Sequence, residues 1–479
     1  MEFKVNSVNL TPTASKYRSC LIIFLILFVC ITYAKGQLLQ TERHEINITE
    51  KAPNYEVIPY EGGVVILSLW SIKQYTDTLA LKVEALDKTL TPKWSKDFQW
   101  NKNLWPVDHK SHQSKVFMLF RNKASESEDL TLLEIETNTG IVVLRNIPNE
   151  FPLLQIYMEV TDQGVLIGGY FNGRLMVMYM SLIEQSPKIL PGLFEKKIEL
   201  NDMKLLSKDT IEVTYINKKN RLNKSMSINS YNTDAQLINT LDFSIPHNDR
   251  NLITGRKVAL SDNTSILVGT YGYRKSEYSL GVYTAKVEHD SQTSFNYYEF
   301  SELNSPFKYV SDRKKRRIKR DLKKNKAKQV DHYILDHFLI NDDTLILLLG
   351  RLGQTGNDIY TEVMPLAFDK NGKLLSETRF KIKIARVYTV KKDNNLSLVY
   401  GYEDKLYSVP YKRSWLDNRS YNIETTYKGD EVTKSSIKGM RQWDEKSLIV
   451  YGFQHIKNNH NSEAGSFRKV FFINKIELE

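Results

Sequence analysis

The chain has 479 residues, with 67 Lys and Arg against 56 Asp and Glu, and its two cysteines are Cys20 and Cys30. A protein that begins at Gln37 therefore has no disulfide, no thiolate metal site and no cysteine nucleophile. Residues 37–479 carry 63 basic and 55 acidic side chains, and the stretch 313–328 alone carries eleven and one, so the rest sums to −2 and the folded body need not be a polyanion binder.

The first element is the apolar run from Cys20 to Ile31, preceded by Lys16 and Arg18 and followed by TYAKGQ. This is the pattern of a secretory signal peptide. The fifteen residues from Cys20 to Ala34 fall short of the roughly 20 that a spanning helix needs, which argues against the alternative of an uncleaved anchor. Ala34 and Gly36 take the −3 and −1 positions of a cut before Gln37, and a cut after Ala34 also fits. Neither cysteine has a lipoprotein context. The expectation is a signal peptide over 1–36 and an exported protein in the periplasm, at the cell surface or outside the cell. After cleavage no transmembrane span remains.

Beyond residue 36 one unit recurs: an apolar strand, a turn centred on Asp or a substitute, then a run of β-formers that often ends in Gly and an aromatic. Clear copies begin at Glu159 (EVTDQGVLIGGYFNG), Ala259 (ALSDNTSILVGTYGY), Leu339 (LINDDTLILLLGRLG), Val390 (VKKDNNLSLVYGYED) and Arg441 (RQWDEKSLIVYGFQH), with weaker ones at Ile58, His112 and Leu205. From Asp162 through Lys208, Asp262, Asp342 and Asp393 to Asp444 the intervals are 46, 54, 80, 51 and 51 residues. The one long interval holds the basic stretch.

Each unit also has a second half in which two β-rich segments flank a polar turn, as in LKVEALDKTLTPKWSKDF from Leu81, LTLLEIETNTGIVVLRNI from Leu130 and VMPLAFDKNGKLLSETRF from Val363. Asn371-Gly372 reads as a two-residue type I′ hairpin. Four short strands per unit of about fifty residues, without helical periodicity, predict an all-β β-propeller of about eight, seven to eight, four-stranded antiparallel blades. One or two β-sandwiches are the alternative. A single domain over 37–479 follows, with a basic insertion at about 301–331.

In ALDKTLTPKW and AFDKNGKLL the chain resembles the hydrophobic-Asp-turn-Trp pattern of quinoprotein-like and other secreted bacterial propeller repeats. The resemblance runs through most of the mature chain as a rhythm and implies the propeller fold. It brings no cofactor with it, because the chain departs from the quinone-binding enzymes at least in lacking mature cysteines. At the C-terminus FRKVFFINKIELE lacks a fourth strand of its own, and RHEINITE from Arg43 can supply it and close the ring.

Chemistry-bearing motifs are sparse. His332 and His337 in DHYILDHF are five residues apart and on a regular strand point to opposite faces, so they share no site. His109 and His112 have a helical spacing, but Trp105-Pro106 before them argues for a loop and against a metal. GRLGQTG from Gly350 runs from strand to strand and offers no helix N-terminus to a phosphate. DKNG at Asp369 is explained as a turn, and no Gly-x-Ser-x-Gly elbow occurs. Five Asn-x-Ser/Thr sequons, at Asn47, Asn223, Asn263, Asn395 and Asn418, are what chance gives in a chain rich in Asn and Ser. The sequence predicts no cofactor and no metal site.

Aromatics recur where the second strand of a unit ends: Trp70, Tyr170 and Phe171, Tyr271 and Tyr273, Tyr400 and Tyr402, Tyr451 and Phe453. That position feeds the B–C loops, whose rim can stack on sugars or grip a protein loop; packing between blades explains many of the same residues. Counting strands puts the basic run, with Arg313, Lys314, Lys315, Arg316, Arg317, Lys319 and Arg320, in a connection between blades on that same face. There it would capture an anionic partner, or serve only as a solvated, cleavable loop. The expected function is a non-enzymatic binding protein that takes a protein, glycan or anionic polymer on one face of the ring. Export and the lack of a reading module argue against nucleic acid. The alternative is a glycosidase-type or lyase-type propeller enzyme, which three or more acidic, His or Arg side chains converging at the channel would mark.

Overall fold

A strand wedged between two neighbouring sheets has no wet face, so its sequence is apolar at every position rather than at alternate ones. The computed structural model shows this arrangement repeated eight times. It describes residues 38–478 apart from 49–53, 72–77, 102, 123–128, 149–150, 162, 185, 208–209, 219–223, 246–248, 262–263, 275–277, 289–290, 301, 304–312, 314–315, 317–319, 321–331, 341–343, 353–359, 379, 385–386, 393–394, 403–404, 412–420, 424–430 and 458–466; of some strand residues, Trp70 and Tyr402 among them, it describes only the backbone.

Strand β1 (Leu38–Asn47) comes first in the chain and belongs to the last blade. Blade 1 is β2 (Asn54–Tyr60), β3 (Gly63–Ser71), β4 (Thr78–Leu86) and β5 (Pro92–Asn101). Blade 2 is β6 (Leu104–His112), β7 (Lys115–Asn122), β8 (Leu130–Glu136) and β9 (Ile141–Ile147). Blade 3 is β10 (Leu154–Val160), β11 (Gly164–Phe171), β12 (Arg174–Ser181) and β13 (Pro187–Ile189). Blade 4 is β14 (Ile198–Ser207), β15 (Thr210–Asn217), β16 (Ser225–Tyr231) and β17 (Leu237–Phe243), and blade 5 is β18 (Arg250–Ser261), β19 (Thr264–Tyr273), β20 (Gly281–Glu288) and β21 (Ser291–Glu299). Blade 6 is β22 (His332–Ile340), β23 (Thr344–Leu352) and β24 (Tyr360–Asp369), with an outer edge shared by β25 (Leu374–Glu377) and β26 (Phe380–Ile384). Blade 7 is β27 (Val387–Lys392), β28 (Asn395–Tyr402), β29 (Lys405–Tyr411) and β30 (Tyr421–Ile423); blade 8 is β31 (Glu431–Gln442), β32 (Ser447–Lys457) and β33 (Phe467–Leu478), completed on the outside by β1. The protein is an eight-bladed, all-β propeller with antiparallel blades, and the first strand of each blade, here strand A, lies nearest the axis.

The second strands explain why the repeat was readable. Along β3, Val64 and Ile66 enter the core shared with blade 8, while Val65 and Leu67 enter the one shared with blade 2. Along β7, Val116, Met118 and Phe120 face blade 1, and Phe117 and Leu119 face blade 3. Cutting any of these side chains to Ala costs about 2 to 5 kcal/mol.

The ring closes as the sequence predicted, with β1 pairing antiparallel to β33 from Leu38↔Leu478 to Asn47↔Val470. Arg43 is the polar pin of that closure. Its side chain is 2% exposed, pairs with Glu45 (2.7 Å), donates to Asn474 Oδ1 (3.0 Å) and Gln454 Oε1 (2.7 Å), and lies 5.1 Å over the Phe472 ring. Arg468 holds the other Glu45 oxygen at 3.0 Å.

The C–D turns repeat a second device. Asp87, Asn232 and Asp369 each accept backbone N–H bonds two and four residues on, at Thr89 and Thr91, Asp234 and Gln236, Asn371 and Lys373. The residue three positions on is left-handed in each: Leu90, Ala235 and Gly372. This corrects the reading of Asn371-Gly372, because only Gly372 has positive φ and the Asp369 carboxylate organises a longer turn. A true two-residue turn with positive φ at both centres occurs instead at Asn172-Gly173, between Phe171 and Arg174.

Two further expectations change. Residues 104–112 form strand β6, not a loop; Pro106 fits because the ladder is shifted between Pro106 and Asp108. A shift between Ile334 and Asp336 likewise breaks the strict alternation assumed for His332 and His337, whose side chains lie outside the described residues.

Candidate functional site

Each chain segment runs outward from the axis, so the B–C turns and D–A connections emerge on one face, the B–C face, and the A–B and C–D turns on the other. The A–B and C–D turns are tied to neighbouring blades. Trp94 Nε1–H donates to Thr137 O (2.8 Å), Trp443 Nε1–H to Tyr60 O (2.7 Å), and the Tyr298 and Thr284 hydroxyls to Gly372 O (2.8 and 2.7 Å). The Trp of the Asp-turn-Trp pattern is thus a latch onto the next blade.

The aromatics singled out at the strand ends divide between packing and rim. Tyr271 is fully buried against Tyr297 and Arg250, and burial raises its hydroxyl pKa far above the ordinary range, so the packing explanation holds there. Tyr400, stacked on Tyr407, and Tyr451 are buried too. Tyr273 is half-buried against the same core as Tyr271. Phe453 packs 5.3 Å from Phe471, with Lys438 and Lys469 Nζ 5.9 and 5.8 Å from its centroid. Tyr170 is half-buried and its hydroxyl accepts the Leu200 N–H of the next blade (2.7 Å). Phe171 sits beside Phe151 (5.4 Å) and nearly parallel to Phe194 (6.4 Å, 15°). The side chains of Trp70 and Tyr402 lie outside the described residues.

Phe171 leads to a patch that the sequence reading missed. On the B–C face over blades 2 to 4, Trp105 is 56% exposed, Tyr157 49%, Leu154 46% and Phe194 38%. Trp105 begins β6, while Leu154 and Tyr157 lie on β10, the neighbouring strand A. The Asp108 carboxylate accepts the Met158 N–H (2.9 Å) and fixes these two strands against each other, so the three residues stand at one mouth of the axis. Farther out, the Asn172-Gly173 hairpin presents Phe171 and Arg174, whose guanidinium carbon lies 5.1 Å over the Phe194 ring. The main chains of Arg174 and Lys196 form an isolated antiparallel bridge. The available signal was the Trp in LWPVDHKSH, on a strand polar enough to have been read as a loop.

Deeper along the inner strands, charges pair from blade to blade. Arg441 of blade 8 meets Glu56 of blade 1 at 2.6 Å, and His109 Nδ1 of blade 2 lies 3.7 Å from the same oxygen. Lys110 reaches Glu159 of blade 3 at 2.5 Å, and Lys257 on the inner strand of blade 5 reaches Glu212 on the second strand, β15, of blade 4 at 2.6 Å. Burial raises the Glu159 pKa; Lys110 opposes this, and Asp108 and Asp202 add to it. Acidic, His and Arg side chains therefore do converge near the axis, but as ion pairs that join neighbouring blades. Among the described residues no group of three or more His, Cys, Asp or Glu is placed to hold a metal ion.

The connection between β21 and β22 spans residues 300–331 and emerges on the B–C face. Its start is anchored by Phe300 and Leu303, buried in the core between blades 5 and 6. Arg313, Arg316 and Arg320 are helical and exposed, whereas Lys314, Lys315, Arg317 and Lys319 lie outside the described residues, as do residues 1–37. No described helix is long and apolar enough to cross a membrane.

No family model and no curated protein matches the sequence. Solved structures do resemble it in shape. The polysaccharide lyase Uly1 covers 92% of this chain and 100% of its own at 10% identity and a TM-score of 0.45. Dihydro-heme d1 dehydrogenase NirN covers 92% and 79% at 10% and 0.46, and the Dos1 propeller 75% and 92% at 10% and 0.39. At such identities and TM-scores no ligand or reaction transfers to this chain.

Proposed function

We propose that the chain is an exported binding protein, not a catalyst, and that the B–C face of its propeller grips a macromolecule or glycan. The observation that carries this reading is the exposed patch of Trp105, Leu154, Tyr157 and Phe194 on one face of the ring. Exposed aromatics clustered in this way suit stacking on a sugar or closure over a protein loop. The basic stretch 313–328 leaves the ring on the same face and adds electrostatic capture of an anionic partner. A catalytic reading is less well supported, since Glu56 and Glu159 on the inner strands and Glu212 on β15 are each held by a cation from a neighbouring blade. Replacing 313–328 by a Gly/Ser linker should abolish salt-sensitive binding to heparin and leave the melting temperature unchanged. Heparin binding that survives the replacement overturns the role given to this stretch.

A further inference from the structure

We infer that the patch over blades 2 to 4 takes an acidic polysaccharide of the hexuronate class, with its sugar rings against the aromatics and a carboxylate on Arg174. The inference rests on the binding-face reading above and names its ligand chemistry. Three observations support it.

The aromatics form a track and not a single contact. Trp105 and Tyr157 stand at the mouth of the axis, and Phe171 and Phe194 lie nearly parallel farther out. A pyranose presents C–H bonds on its faces and hydroxyls around its edge, so successive sugars can lie against such rings while their polar edges stay wet.

The cations lie at the outer end of the track. The Arg174 guanidinium lies over Phe194, its main chain pairs with that of Lys196, and Lys196 and Lys197 are both exposed. A guanidinium fixed beside a ring offers paired N–H donors to a planar carboxylate carried by a stacked sugar, a geometry that an ammonium does not reproduce. Of the two nearby acids, Glu199 is paired with Lys218 and Glu195 is half-buried, so neither faces the ligand as a fully exposed, unopposed charge.

Charge spacing favours a uronate over a nucleic-acid strand. Acids stand among the cations at Arg174, Lys196 and Lys197, with Glu195 beside Lys196 and Glu199 close by, which suits a carboxylate on some sugars better than a phosphate at every step.

The test uses the chain from Gln37 to Glu479. Trp fluorescence and calorimetry would follow the binding of oligogalacturonate and alginate oligomers, their methyl esters, an oligo(dT) strand and phosphatidylserine vesicles. Free acids should bind at least tenfold tighter than the esters. Arg174→Gln should erase that preference and leave ester binding unchanged, while Phe194→Ala should weaken both about tenfold. Equal binding of acid and ester, binding of neither acid, or dependence on Phe194 with oligo(dT) or vesicles alone overturns the inference. If the 313–328 replacement abolishes heparin binding and neither variant alters uronate binding, the uronate site fails while the binding face stands. Polyanion binding that ignores all three changes sinks the face as well.

Discussion

Two glycines show how differently the two faces of the ring are built. Gly372, in a C–D turn, receives bonds from Thr284 and Tyr298 of the preceding blade, and a Cβ there would lie 2.5 Å from Thr284 Oγ1. Gly173, in a B–C turn, has the same left-handed φ and nothing within 4 Å of its Cβ position. One face uses its described A–B and C–D turns to lock blades together; on the other, the fully described B–C turn at Asn172-Gly173 is open, and Trp105, Tyr157 and Phe194 are exposed. The contrast sets a turn packed against the neighbouring blade beside one that touches nothing, so the two positions should differ in what a substitution costs.

The largest test of this division removes the closure. Deleting 38–47 removes Arg43 from Asn474 and Gln454 and exposes the β33 edge, so the protein should lose its cooperative thermal transition and aggregate. A truncated chain that melts as sharply as the parent would show that the ring does not depend on β1. Next come the two glycines. Gly372→Ala should cost about 3 kcal/mol, combining left-handed strain with the clash at Thr284. Gly173→Ala should cost about 1 kcal/mol, from strain alone. Denaturant unfolding reads both, and equal values would erase the contrast between the faces.

Acid titration separates two carboxylates. Burial disfavours ionisation of Glu134, but hydrogen bonds from Lys115 and Arg145 outweigh it and hold its pKa below the ordinary 4.5. Its contribution is present above pH 4.5 and is lost as pH falls through the lowered value. Glu159 has the opposite sign: its raised pKa makes stability fall as pH climbs from 4.5 through that value. Glu134→Gln should flatten the acid loss below pH 4.5, and Glu159→Gln should flatten the slope above it. The smallest effect belongs to Phe194→Ala, which should leave stability within about 0.5 kcal/mol. A larger loss would mean that the exposed patch belongs to the core.

The blades were legible because their second strands are buried on both sides, and runs such as VLIGGYF at Val165 or LILLLGR at Leu345 cannot hide in a polar sequence. The basic connection was legible because it lengthened one repeat interval. The mouth of the axis was not. Strand β6 needs few apolar residues where it borders the central opening, so LWPVDHKSH shows no strand periodicity and Trp105 reads as part of a loop instead of an exposed strand residue. Aromatics at the ends of second strands were an ambiguous signal, since the same position holds Tyr271 in the core and Phe171 at the rim. Tyr271 packs against Arg250 and Tyr297 of its own blade, whereas Phe171 meets Phe151 and Phe194 in the connections on either side of its blade.

The pairing of Leu38 with Leu478 also sets an order in time. Strand β1 is synthesised first and used last, because its partner β33 ends at Leu478. At 5 to 20 residues per second, roughly 20 to 90 s separate the two. Throughout that interval Leu38 and Ile46 have no seam to enter, and the other seven blades can form beside an unfinished eighth. Closure is thus a single late event between sequence-distant segments, the slow kind of contact in folding, and a chain stalled before its last strand carries an open sheet edge.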